Sequence, residues 1–123
     1  MADKVIIEVN EYQRLTLIDA LNEKRNSLVE RFEDGSVTEH IDAAMVNVMR
    51  SGGIIEVSDL HRRHIVNSLN MRLQELREGG LDTGEVQELL KKANTAPTKK
   101  EWKKLMRERQ KEERKKNRKG VER

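Results

Sequence analysis

The sequence predicts a mainly α-helical domain with a minor β ribbon, made by tandem duplication of a strand-helix-helix unit and followed by a basic C-terminal helix. Three observations predict it. Val5 to Glu30 aligns with Gly53 to Glu78 at an offset of 48, with nine identities in 26 positions: Ile6, Ile7, Glu8, Val9, Arg14, Leu21, Asn22, Leu28 and Glu30 with their partners. Unrelated windows would share roughly one or two at average residue usage. Each copy opens on a β-branched run and continues with apolar residues at helical spacing. Finally, residues 1–98 carry 12 Lys and Arg against 17 Asp and Glu, a net of −5, whereas residues 99–123 carry 13 against 5, a net of +8.

Val5 to Val9 reads as a strand, because stiff β-branched side chains favour extended backbone. Asn10 offers a side-chain oxygen to the free N–H groups of a following helix, and Glu11 places negative charge at its positive end. That helix runs to about Arg31, with Ile18, Leu21, Leu28 and Phe32 on one stripe, Leu17 and Val29 on its flank, and Arg25 interrupting it. Glu33 to Ser36 forms a turn. Thr38 then caps a second, shorter helix facing inward through Ile41, Ala44, Met45, Val48 and Met49.

Ser51, Gly52 and Gly53 break that helix, and the pattern restarts with a strand at Ile54 to Val57 and Ser58 as the next cap. The third helix turns Ile65, Val66, Leu69, Leu73 and Leu76 inward and stops at Gly79 and Gly80, which tolerate the left-handed backbone that closes a helix. A fourth, after Thr83, carries Val86, Leu89, Leu90 and Ala93. The domain therefore spans 1–95, with repeats at 5–51 and 53–94. Neither unit buries its stripe alone, so the two are expected to share a core about a pseudo-twofold axis, their strands paired either antiparallel or parallel. Open solenoids need three or more repeats, so closure or homo-oligomer formation is the expected way to bury the rest.

Residues 96–123 form a separate object. Pro97 disfavours helix at the residue before it, and Thr98 with Glu101 makes a T-x-x-E capping box, so a helix should begin at Lys99. Its only apolar residues near the start are Trp102, Leu105 and Met106, a docking anchor for the body or for a partner. Beyond them the chain is charged and is expected to fray at its end.

Repeated polar residues are first read structurally. Glu8 with Arg14, and Glu56 with Arg62, suggest an ion pair from strand end to first helical turn, within each unit or across the pseudo-axis, and Asn22 and Asn70 suggest a hydrogen bond to each other or to the facing backbone across the axis. His61 and His64 share a helical face, but Arg62 and Arg63 between them disfavour a dication, so no metal is expected there. His61, Arg62, Arg63 and His64 instead form a cationic face suited to phosphate or an acidic partner.

No membrane span and no signal peptide are expected, since no apolar run of sufficient length occurs. The chain has no Cys, which removes disulfides, thiolate nucleophiles and Cys-ligated metals and fits a reducing, cytoplasmic setting. There is no nucleophile elbow, phosphate loop, H-E-x-x-H or dinucleotide fingerprint, so neither an enzyme nor a cofactor is expected. What remains is a small interaction or regulatory protein, such as a viral or mobile-element accessory factor or inhibitor, whose body binds a protein partner. Its tail contacts nucleic acid or an acidic surface through Lys99, Lys100, Lys103, Lys104, Arg107, Arg109, Lys111, Arg114, Lys115, Lys116, Arg118 and Lys119. The alternatives are a sequence-independent DNA- or RNA-binding protein and a structural virion or assembly component.

Overall fold

A computed structural model describes residues 4–31 and 38–121, with side chains through Lys115. Phe32, the turn at 33–36, and the side chains of Lys116, Arg118 and Lys119 therefore lie outside the described residues. In chain order the elements are β1 (Val5–Glu8), α1 (Glu11–Arg31), α2 (Glu39–Arg50), β2 (Ile54–Val57), α3 (Asp59–Glu78), α4 (Gly84–Asn94) and α5 (Lys99–Val121). The chain is mainly helical with one small two-stranded sheet.

The strands pair antiparallel, with Val5 opposite Val57, Ile6 opposite Glu56, Ile7 opposite Ile55 and Glu8 opposite Ile54, which decides between the two pairings the sequence leaves open. Alternation along the strands gives the ribbon two unlike faces. Val5, Ile7, Val9, Ile55 and Val57 belong to one buried cluster with residues of α1 to α4. The other face carries Ile6, Glu8, Ile54 and Glu56, of which Ile6 is buried and Ile54 is 48% exposed. Two strands alone would be marginal, and the helices on the apolar face stabilise them.

Leu17, Ala20 and Leu21 of α1 meet Ile65, Leu69 and Leu73 of α3, with Ile41, Ala44 and Val48 of α2 and Val86, Leu89, Leu90 and Ala93 of α4 completing the core. The buried face of α1 is rotated from the stripe expected at Ile18, Leu21, Leu28 and Phe32. Ile18 and Leu28 pack only at its margin, and Val29 is half exposed. Gln13 explains the rotation. It is fully buried, its backbone N–H donates to Asn10 Oδ1 at 2.7 Å, and its Oε1 accepts from the Asn10 backbone N–H at 3.1 Å and from Lys92 Nζ of α4 at 2.8 Å. A polar residue can face the core when each contact it loses to water is replaced.

Capping elsewhere is mixed. Ser58 Oγ accepts from the His61 backbone N–H at 3.2 Å, as expected for an N-cap. Thr38 and Thr83 sit at helix starts in helical conformation without a side-chain cap bond; the Thr38 hydroxyl donates to Asp42 at 3.2 Å. At the end of α3, Gly80 adopts φ 67°, a conformation in which any other residue would be strained. We expect Asn10→Ala to destabilise the chain by about 1 kcal/mol, because it opens the reciprocal Asn10–Gln13 cap; chemical denaturation at neutral pH measures this.

Candidate nucleic-acid interface

Helix α5 is positioned by the sheet. After Pro97 the chain runs antiparallel along the free edge of β1: the Ile6 N–H donates to Pro97 O at 2.9 Å, the Lys99 N–H donates to Lys4 O at 2.8 Å, and Thr98 bridges Val5. Thr98 then starts the helix as expected. Its Oγ1 accepts from the Glu101 backbone N–H at 3.2 Å and donates to Glu101 Oε1 at 3.0 Å.

The first turns of α5 are fastened to the polar face of the ribbon. Trp102 Nε1 donates to Glu8 Oε1 at 2.8 Å, Arg109 approaches the same oxygen at 3.9 Å, and Lys99 Nζ pairs with Glu56 Oε1 at 3.0 Å. This corrects the expected roles of the two repeated glutamates. Glu8 and Glu56 hold α5, while Arg14 and Arg62 find nearer acids within their own helices, Glu11 at 2.9 Å and Asp59 at 2.6 Å. The Arg14 bond holds the Glu11 carboxyl below its ordinary pKa, and Arg62 does the same for Asp59, aided by Arg63. Arg14 also donates to the Met49 carbonyl at 3.3 Å, satisfying an open carbonyl at the end of α2. Asn22 and Asn70 are both exposed, so the buried contact expected of them across the body is not made.

Of the expected anchor, Trp102 and Met106 are half-buried, whereas Leu105 is 45% exposed. A cleft of about 310 Å3 between ribbon and helix is lined by Ile6, Glu8, Lys92, Pro97, Trp102 and Arg109 among others. Trp102 is the only tryptophan, so its emission reports the anchor. Glu8→Ala is expected to shift that emission to the red at the cost of about 1 kcal/mol, a small figure because the contact is solvent-accessible. An unchanged spectrum would show that Glu8 does not hold the ring.

Away from the ribbon, α5 is basic. Lys100, Lys103, Lys104, Arg107, Lys111 and Arg114 are all exposed, and at 3.6 residues per turn they fall within an arc of about 100°, centred roughly 150° from Trp102 and roughly 110° from Met106. The acids Glu101, Glu108, Glu112 and Glu113 fall outside that arc. Lys115 lies at its margin, while Lys99 and Arg109 point back to the ribbon glutamates. The stripe spans roughly 21 Å at 1.5 Å per residue. At its start, a surface groove is lined by Lys4, Lys99, Lys100 and Lys103 with Glu56.

The second expected contact, His61 to His64, is placed apart from this stripe, at the start of α3. Arg62 and Arg63 share Asp59, at 2.6 and 3.2 Å, which reduces their availability to an anion. His61 and His64 turn toward His40 of α2, with ring centroids 5.7 and 5.6 Å away. Among the described residues, no group of three or more His, Asp or Glu is placed to hold a metal ion, and no helix is long and apolar enough to cross a membrane. Comparison with protein-family models, with curated proteins and with solved structures finds no match.

Proposed function

We propose that this chain is a small non-enzymatic nucleic-acid-contacting protein, in which a compact helical body holds out α5 as a basic arm that lies along a phosphate backbone. The observation that carries this is the exposed cationic stripe from Lys100 to Arg114, with Glu101 and Glu56 at the margin of its first turns. Such an arm neutralises phosphates without reading bases, since it offers no aromatic residues to stack and no side chains arranged against base edges. Binding should be independent of sequence and driven by counterion release. Titrating a labelled duplex of arbitrary sequence with the full chain at about 50 mM salt tests it, and absence of binding there overturns it.

A protein-binding role for the body, as in an accessory factor or inhibitor, is favoured by a different observation. Tyr12 and Leu15 of α1, 64% and 50% exposed, lie one turn apart, and Val46 and Met49 of α2, 44% and 57% exposed, repeat that spacing on the helix packed beside it. Apolar pairs on adjoining helices suit a partner surface more than solvent. The two roles use different residues, since α5 is attached to the body along the edge of β1.

We also infer that the body arose by duplication and is organised about a pseudo-twofold axis. Several contacts support this. Ile7 pairs with Ile55, its own equivalent at an offset of 48; Ile6 opposite Glu56 is mirrored by Ile54 opposite Glu8; and Val5 opposite Val57 is mirrored by the Val9 N–H donating to Gly53 O at 2.8 Å. The caps Asn10 and Ser58, and the ion pairs Glu11–Arg14 and Asp59–Arg62, also fall at equivalent places.

A further inference from the structure

Two helices bring all the histidines of the chain to one junction. His40 lies in the first turn of α2 and His61 and His64 in the first two turns of α3, and the chain has no others. The His40 ring stacks on His64 with centroids 5.6 Å apart and planes 15° from parallel, and meets His61 at 5.7 Å and 58°. Neutral imidazoles tolerate this contact. Once protonated, His61 and His64 would each set a like charge within about 6 Å of the His40 ring, a separation at which like charges disfavour the charged form.

Most of the acids near those charges are already paired with arginines. From α1, Lys24 faces His64 and adds a further positive charge. On α3, Asp59 is engaged by Arg62 at 2.6 Å and Arg63 at 3.2 Å. On α2, Asp42 is engaged by Arg25 of α1 at 2.6 Å, while Glu39 is exposed beside His40. Burial, then the charge of His40, holds His61 below its ordinary pKa, and burial, His40, His61 and Lys24 do so for His64.

We propose that the junction of His40, His61 and His64 is a proton-operated switch, closed near neutrality and driven open in mild acid, when the charged imidazoles push α2 away from α3. The sign follows from linkage. Groups that are harder to protonate in the folded chain than in the unfolded one contribute stability that is whole above the unfolded pKa of about 6.5 and is lost as pH falls through the lower folded values. Opening would uncover Ile41, Ala44 and Val48, which α2 buries in the core. Glu23 of α1, raised by burial and by Glu75, works in the opposite direction, so it does not mimic the effect.

Amide hydrogen exchange of the full chain between pH 7.5 and 5.5, corrected for intrinsic rates, tests the switch. Protection across α2 should fall severalfold while that of α4, which packs on α3 without a histidine, holds. In His40→Gln that loss should be reduced, and the NMR titration midpoints of His61 and His64 should rise, with burial still holding them below the ordinary value. Equal pH response of α2 and α4 overturns the proposal. So do His61 and His64 titrating at ordinary values in the unaltered chain, a result that stands whether or not the variant folds.

Discussion

Leu69→Ala and Leu21→Ala should each destabilise the chain by about 2–5 kcal/mol, with a Tm loss on the order of 10 °C or more for a body of this size. Both side chains are fully buried, and each sits where α1 and α3 face one another in the shared core. Removing either therefore loses apolar burial and leaves a cavity in the shared core. Val29→Ala is the comparison, since Val29 is 49% exposed and its loss should stay within about 0.5 kcal/mol. Denaturant melts of the three variants would contradict the packing if Leu69→Ala or Leu21→Ala behaved like Val29→Ala.

That core was largely legible in the sequence because short β-branched runs and helical apolar spacing report local geometry. The strands, the five helix starts near Glu11, Glu39, Asp59, Gly84 and Lys99, and the T-x-x-E box at Thr98 all depend on neighbours within four residues. Gln13 was missed for the same reason. Its burial depends on Lys92, 79 residues away, and a pattern of polar and apolar types assigns glutamine to solvent. The recurrence of Glu8 and Arg14 in both copies suggests that they pair, yet the contact of Glu8 is Trp102, 94 residues on. The basic stripe of α5 is written in the spacing of Lys100, Lys103, Lys104, Arg107, Lys111 and Arg114, but only the structure shows which side of the helix the ribbon covers. The meeting of His40 with His61 and His64 required the packing of α2 on α3.

The second large effect concerns the arm. Replacing Lys100, Lys103, Lys104, Arg107, Lys111 and Arg114 together by glutamine should lower duplex affinity at about 50 mM salt on the order of a thousandfold. Glutamine has nearly the helix propensity of lysine and arginine, so α5 should persist and circular dichroism should change little. The docked face, Trp102 with Glu8, is untouched, and tryptophan emission should confirm that the arm still sits on β1. Replacing Glu101, Glu108 and Glu112 by glutamine should instead raise affinity, because it lowers the local negative charge without touching the stripe. Loss of less than threefold in the six-residue variant would mean that the stripe is not the contact.

The most direct measurement is the salt dependence of duplex binding by the unaltered chain. Six phosphate contacts at about 0.9 each give a slope of roughly −5 in log K against log salt, a fall on the order of a thousandfold between about 50 and 200 mM, the same for unrelated sequences. A slope near zero would contradict the account of α5 as a phosphate-binding arm.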